Sequence, residues 1–279
     1  MGSVEQQVRR FYDVAGPAYA SLMEDVWHHG KSDAEERGLS PVEAGLELAE
    51  ELVRASGIQP GGRALDFGSG VGGSTIHMAA VSQATFIGIS NNEWLSGRAR
   101  AHAHERGMAD QVFFHTIGDE EYQTLGAWPD GSFDLVTFYE SVVHLPDKQR
   151  FFDSAYRLVK PGGHLIGIDW LQRPFGENQT DEQIKRWMEP VERFISIPWH
   201  GTVESYRKMI EKAGFEVKVA EDMWAGVECW GSTPSNDAQG WLTYEGEEGD
   251  LFHDGKRALD AARGAGVFTV GQFVAVKPS

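Results

Sequence analysis

"LDFGSGVGGS", Leu65 to Ser74, decides how the rest of the chain is read. Gly68, Gly70 and Gly73 spell G-x-G-x-x-G, the spacing of a dinucleotide-binding turn, where glycines let backbone amides approach a pyrophosphate. The residue two places earlier argues for a different ligand. Asp66 would stand at the tip of a strand, and a carboxylate there repels a pyrophosphate lying over the turn. A cationic ligand without phosphate would instead gain from that charge.

Outward from this turn, short apolar segments alternate with helix-patterned ones. "RALDFG" reads as the first strand, "GGSTIHMAAVS" as a helix, "ATFIGIS" as the second strand and "NEWLSGRARAHAHERGM" as a helix. "QVFFHTIG" and "FDLVTFYES" read as strands three and four. "KQRFFDSAYRLVKPGG" is a helix ending in a turn, "HLIGIDW" is strand five, and "TVESYRKMIEKAG" is a helix before the last strands, "FEVKVAEDM" and "VFTVGQFVAVK". On the other side Pro41 opens an amphipathic helix, "PVEAGLELAEELVRASGI", and "SVEQQVRRFYDVAGPAYASLMEDVW" predicts two short helices broken at Gly16-Pro17. The pattern predicts an α/β fold: a Rossmann-like, seven-stranded, mainly parallel sheet with helices on both faces. Residues 1–40 are expected as an N-terminal helical lid, and 41–279 as the main domain with insertions at about 171–201 and 223–266. Connections of that length serve as lids or binding walls. Both leave the sheet edge where open α/β sheets hold ligands, so they are expected to form a substrate cap.

The chain has 279 residues, 41% hydrophobic and 24% charged, with a formal net charge of -17. Such a surface repels phosphate backbones and anionic lipid, which excludes nucleic acid and membrane as expected partners and leaves a small molecule. The single cysteine, Cys229, allows no internal disulfide and suits a reducing compartment. With no apolar leader in "MGSVEQQVRRFYD", a cytoplasmic protein is expected. A homo-oligomer is compatible with all of this.

Four ordered motifs between about Gly62 and Asp169 carry a resemblance. "LDFGSGVGGS" resembles the D-x-G-x-G-x-G motif of class I S-adenosylmethionine-dependent methyltransferases. "GISNNEWLSGRARAHAHERGM" is similar to that superfamily's second strand and its alanine-rich helix. "IGDEEYQTLGAWPDGSFDLVTFYESVVHLPDKQRFFDSAYRLVKPGGHLIGID" resembles its acidic third-strand end, F-D-x-V fourth strand, E-S-x-x-H-x-x-D turn and L-K-P-G-G turn. The resemblance implies S-adenosylmethionine as cofactor and S-adenosylhomocysteine as product. It implies that Asp66, Gly68, Ser69 and Gly70 line the methionine end, and Asp119 and Glu120 the adenine edge. Tyr139, Glu140 and Ser141 would flank the sulfonium. Where most members carry a ribose-binding acid this chain has Ser90, followed by Asn91, which can still hydrogen-bond a ribose but without charge assistance. The branch of cyclopropane-fatty-acid and isoprenyl-diphosphate C-methyltransferases is read as lacking that acid too, which points mildly to methylation at carbon. A nicotinamide oxidoreductase and a non-catalytic cofactor-binding protein are the rival readings.

On the acceptor side, His144 of the E-S-x-x-H turn and Asp169 at the end of strand five are the candidate bases. Apolar neighbours would raise the Asp169 pKa toward a useful range. The alternatives are a capping histidine and a capping or loop aspartate. Tyr12, Tyr19 and Trp27 match a leading segment whose tyrosines close over the cofactor in small-molecule members; helix packing is the alternative. Trp27, Trp170, Trp199, His200 and Trp224 are expected against the substrate, because aromatic walls suit a flat or apolar acceptor and shield a developing cation. No metal site is expected: His28-His29 diverge, and His102 and His104 face different sides of a helix. Magnesium would enter only with a diphosphate substrate, for which Arg173, Lys185 and Arg186 are possible partners. The expected function is methyl transfer to an apolar aromatic or isoprenoid acceptor, carbon being favoured over oxygen or nitrogen.

Overall fold

The alternation folds as a seven-stranded sheet in the computed structural model, which describes residues 3–34, 36–175, 180–230, 243, 245 and 249–279, without the side chains of Asp119, Glu120 and Leu251. The strands are β1 (Arg63–Phe67), β2 (Thr85–Ser90), β3 (Val112–Thr116), β4 (Phe133–Tyr139), β5 (Val159–Gln172), β6 (Glu216–Asp222) and β7 (Phe268–Val276). Their order across the sheet is β3-β2-β1-β4-β5-β7-β6. β7 runs antiparallel to both β5 and β6, and the other pairs are parallel.

The central strands are buried on both faces, so they read as apolar runs rather than as alternation. Along β4, Leu135 packs to one side, whereas Val136 and Phe138 pack to the other. The first side is covered by α2 (Pro41–Ala55), α3 (Gly73–Ser82) and α4 (Glu93–Glu105) through Leu48, Leu52, Ile76 and Ala99. The second is covered by α6 (Lys148–Leu158) and α8 (Val203–Ala213) through Phe151, Phe152 and Tyr206. α5 (Asp119–Thr124) adds Tyr122 on that side. Starts are written in the sequence. Ser40 accepts the Glu43 N–H at 3.2 Å while Glu43 accepts from the Ser40 N–H at 2.9 Å, a reciprocal cap before Pro41.

Two boundaries differ from the sequence reading. The N-terminal segment is one helix, α1 (Val4–Leu22), with Pro17 inside it. An interior proline costs roughly 3 kcal/mol. Tertiary packing offsets that cost, since Ala15 and Ala18 are fully buried and Gly16 lies so close to Trp94 that a Cβ would meet its ring at 2.7 Å. The "VKPGG" turn is absorbed into β5. Its ladder with β4 jumps from Phe133↔Val159 to Leu135↔His164, so the turn is an irregularity within the strand rather than its prelude.

The expected insertions carry α7 (Asp181–Ile195) and α9 (Gly249–Gly264). Part of the second, with Trp241 and Tyr244, lies outside the described residues. No helix among the described residues is long and apolar enough to cross a membrane.

Candidate functional site

A cleft opens at the carboxyl ends of β1, β2 and β4, where the strand order reverses. Its floor is the glycine turn. The N–H groups of Gly68 and Ser69 both donate to the Ile89 carbonyl, at 2.9 and 3.0 Å, which lashes the turn to β2. Gly68 has φ +77°, and a Cβ on it would lie 2.3 Å from the Ser141 Cβ. Only glycine fits there. Ser141 in turn donates its hydroxyl to the Phe67 carbonyl at 2.7 Å, joining the ends of β1 and β4.

Asp66 lies on the cleft wall with its carboxylate fixed from two sides. Thr137 donates a hydroxyl to one oxygen at 2.7 Å, and the Thr75 hydroxyl donates to the other. Burial pushes its pKa above the ordinary carboxylate value, and the two hydroxyls pull back. At the end of β2, Ser90 and Asn91 line the cleft, and the Asn91 carbonyl accepts from Arg9 Nε at 2.9 Å. Asp119 and Glu120 open α5, but their side chains lie outside the described residues. Tyr122, one turn further on, reaches the wall with its ring 4.5 Å from that of Phe67.

Tyr139, Glu140 and Ser141 all line the cleft. Glu140 is strained and half-buried: its φ is +49°, a costly region for a residue with a Cβ. Burial raises its pKa to about 8, while the Trp170 indole and the His29 backbone N–H favour the ionised form. The indole acts across a gap, since neither Glu140 Oε1 nor Trp170 Nε1 makes a hydrogen bond of full geometry. Glu140 thus keeps Oε1 without a full hydrogen bond at the wall of the cleft.

The opposite wall comes from far away in the chain. α1 supplies Tyr12 and Tyr19; the segment after it supplies Asp25, Trp27 and His28; β5 supplies Trp170 and α7 supplies Ile195. Tyr12 OH lies 3.0 Å from His144 Nε2, and His144 Nδ1 is 3.4 Å from the Ser196 carbonyl. His28 Nε2 lies 2.6 Å from the Ser74 hydroxyl, and its ring centroid is 4.9 Å from that of Tyr139. Burial pushes both imidazoles down to about 4, so they are neutral at physiological pH. Tyr19 and Trp27 pack ring on ring at 5.1 Å.

Four residues expected at the substrate are not on this wall. Asp169 is fully buried behind it, accepting from Tyr206 OH at 2.8 Å and from the Trp170 N–H at 3.0 Å. Strand side chains alternate, so Asp169 and Trp170 cannot face the same way, and it is Trp170 that reaches the cleft. His200 is buried against Glu192, with Nδ1 3.0 Å from Oε1. Trp199 hooks its indole N–H onto the Pro146 carbonyl at 3.0 Å, on the surface. Trp224 packs in the core beside Arg173, whose guanidinium donates to its carbonyl at 2.6 Å. Sequence reasoning passed over His28, Tyr122 and Ile195 as wall residues. The tyrosine could have been found one helical turn after the acidic pair, whereas the other two carry no local signal.

No lysine or arginine stands on the wall among the described residues, whereas Glu5, Asp25, Asp66 and Glu140 do. Arg173 is bound to Asp222 at 2.6 Å, and neither Lys185 nor Arg186 lines the cleft. No group of three or more His, Cys, Asp or Glu side chains among the described residues could hold a metal ion.

Comparison with known proteins agrees with this geometry. A family model described as a methyltransferase domain matches residues 43–219. The 27-O-demethylrifamycin SV methyltransferase of Amycolatopsis mediterranei (strain S699) is 31% identical over 212 residues, 74% of each chain. The sterol 24-C-methyltransferase of Pneumocystis carinii (strain B80) is 27% identical over 229 residues, 79% of this chain and 59% of that one. This chain therefore spans less than two thirds of the sterol enzyme. Among solved structures, the cyclase SpnF superposes with a TM-score of 0.80 at 21% identity, covering 99% of this chain and 98% of that chain.

Proposed function

Since the chain belongs to the methyltransferase-domain family, we propose that it carries a methyl group from S-adenosylmethionine to an apolar small molecule, aromatic or isoprenoid, preferentially at carbon. The observation that supports this is the wall of the cleft: a glycine turn, four carboxylates and a ring of aromatic side chains, with no cationic side chain among the described residues. S-adenosylmethionine carries an ammonium and a sulfonium and no phosphate, so this wall suits it. The Glu140 oxygen without a full hydrogen bond and the Gly68 cradle, which a Cβ would fill, fit the same ligand.

In this reading Asp66, Gly68, Ser69 and Gly70 hold the methionine end, and Ser90 and Asn91 the ribose. Asp119 and Glu120 lie at the adenine edge, Tyr139, Glu140 and Ser141 beside the sulfonium, and Tyr12 and Tyr19 close over it. When bound, the cofactor supplies a methyl group already activated for in-line displacement. The chain therefore mainly aligns the acceptor and excludes water. Trp27 and Trp170 wall the acceptor, and the helices of the two insertions cap it.

Methylating a carbon leaves a cation that must lose a proton. Neutral His144 can take it, as can Glu140 once a cation beside it favours its ionised form. The enzyme would work in the cytoplasm as part of secondary metabolism. One observation favours transfer to oxygen as the second reading. The Tyr12–His144 pair lies on the wall, and a neutral imidazole is the base that a phenol needs.

Calorimetry with S-adenosylhomocysteine, then incubation with S-adenosylmethionine and a panel of indoles, phenols, prenyl alcohols and prenyl diphosphates read by mass, tests the reading. Expected are S-adenosylhomocysteine binding, methylation within the uncharged acceptors, and no gain from diphosphates with or without magnesium. Preference for a diphosphate would defeat the argument from wall charge. Binding of NAD(P) with indifference to S-adenosylhomocysteine would defeat the whole reading.

A further inference from the structure

Beneath the acceptor wall lies a buried lysine that no step above uses. Lys148 is the first residue of α6 and is 1% exposed. Nζ donates to the Val143 carbonyl at 3.0 Å and to the Leu145 carbonyl at 2.8 Å, and it sits 4.2 Å from the centre of the Trp199 ring. Asp169 approaches the same turn from the other side. Its carboxylate is faced by the backbone N–H of Val143 and held by Tyr206 and the Trp170 N–H.

A lysine in this place is costly twice over. Burial disfavours its charge, and the first turn of a helix is the positive end of the helix dipole. Asp169, fully buried, carries the corresponding cost for a carboxylate. Burial pushes Lys148 down and Asp169 up in pKa, and the charge of each pulls the other back. What the two hold between them is the one-turn 3-10 segment Val142–His144, and Val143, His144 and Leu145 all face the cleft.

We propose that Lys148 and Asp169 form a buried clamp that positions His144 against Tyr12. The lysine grips Val143 and Leu145 through their carbonyls, and the aspartate only faces the Val143 N–H, so the residue between them has little freedom. His144 then presents Nε2 to the cleft at the Tyr12 hydroxyl. Both members are positioning residues, and neither touches the cleft. The proposal rests on the reading above only in calling this wall the acceptor side.

Its test does not require methyl transfer. Histidine rings labelled at Cε1 are followed by NMR against pH in the whole protein, with H144N assigning the signal. The groups facing that ring are Tyr12 from α1, Lys148 from α6, and His200 with the Ser196 carbonyl from the segment after α7. In the wild type the His144 signal is expected to stay neutral down to about 4. In K148M the lost charge by itself raises the midpoint, so the clamp is read from broadening of the His144 signal as the ring moves toward water. S-adenosylhomocysteine affinity should change by less than about threefold, because the glycine turn is untouched.

D169N keeps an oxygen for Tyr206 and Val143 but removes the charge, so it should give a smaller broadening. The K148M/D169N double variant should fall short of the sum of the two, as groups acting as one unit do. If K148M does not fold, D169N and the thermally matched K148R decide. Unchanged His144 line width in folded variants, or additive effects, would overturn the clamp. Where methyl transfer is observed, kcat should fall with the KM for S-adenosylmethionine unchanged; loss of transfer with an intact His144 signal would count against the function instead.

Discussion

The two walls of the cleft are built in different ways. The wall proposed for the cofactor comes from loops that follow neighbouring parallel strands of the sheet, each reaching the cleft within a few residues of its strand's end: Gly68 after β1, Ser90 at the end of β2, Glu140 after β4. The facing wall, proposed for the acceptor and for the tyrosines that close over the cofactor, is assembled from α1, the segment at 25–28, the turn at 143–145, Trp170 and Ile195, which are scattered through the chain. The first is fixed by backbone geometry that sequence motifs encode directly. The second is fixed by contacts between distant elements, such as His28 with Ser74 and Tyr12 with His144. Backbone constraints tolerate little, whereas a wall of packed side chains can be exchanged piece by piece.

That difference can be broken most sharply at the glycine turn. Gly68→Ala places a Cβ 2.3 Å from Ser141 at φ +77°. The left-handed region alone costs roughly 1–2 kcal/mol, and the clash adds to it. S-adenosylhomocysteine binding by calorimetry should weaken by about 100-fold or more. Trp27→Ala, on the other wall, should weaken it by less than about fivefold while raising the acceptor KM. Equal losses from the two variants would mean that the walls are not separable.

The same contrast explains what was legible in the sequence. The seven strands, the mainly parallel sheet and the glycine turn followed from apolar runs and glycine spacing, because those patterns are the cause of the structure. Asp66, Gly68, Ser90 and Glu140 all line the cleft. Asp169 was misplaced although parity along β5 could have corrected it, since its neighbour Trp170 takes the cleft side. His200 and Trp224 were misplaced because an aromatic or imidazole in an insertion is as readily core as wall. Lys148 gave no signal, since a lysine early in a helix reads as solvated. Its burial depends on carbonyls of a turn whose course is set by tertiary packing.

Glu140 lies where the two walls meet, and Glu140→Gln sharpens the comparison through pH. Methyl transfer should fall by about 10²–10⁴ if the carboxylate handles the proton, with a much smaller change in S-adenosylhomocysteine affinity. Stability should move the other way. With a folded pKa of about 8 against an ordinary 4.5, the folded protein holds a proton that the unfolded chain has lost, so stability falls as pH rises between those values. The neutral histidines act oppositely. His28 and His144 at about 4 and His29 at about 3, against 6.5 unfolded, make stability rise with pH up to about 6.5. Thermal unfolding of the ligand-free wild type should therefore peak near pH 6.5, and Glu140→Gln should flatten the fall above the peak while steepening the rise below it, from about 4.5. A peak with an unchanged alkaline limb in the variant would show that another group carries that limb.

The smallest effect is expected where the walls are tied together. Asn92, fully buried, caps α4 by accepting the Leu95 N–H at 3.1 Å and reaches back to α1. Its Nδ2 donates to Asp13 Oδ1 at 2.7 Å and to the Arg9 carbonyl at 3.2 Å. Asparagine and aspartate cap helices about equally well, so Asn92→Asp keeps the α4 cap. The same change removes both donors to α1 and sets a carboxylate against Asp13. Losing such a hydrogen bond costs about 1 kcal/mol, which for a chain of this length lowers Tm by roughly 2–4 °C. If α1 is only docked on the cofactor wall, the loss should appear as faster proteolysis within α1 and an S-adenosylhomocysteine Kd raised by about three- to tenfold. Asn92→Ala separates the two roles, because it loses the cap as well and should add about 1 kcal/mol of global destabilisation. An Asn92→Asp protein with α1 still protected would mean that Tyr12, Phe11 and the buried alanines hold this helix without the tie. The acceptor wall would then be as rigid as the glycine turn it faces.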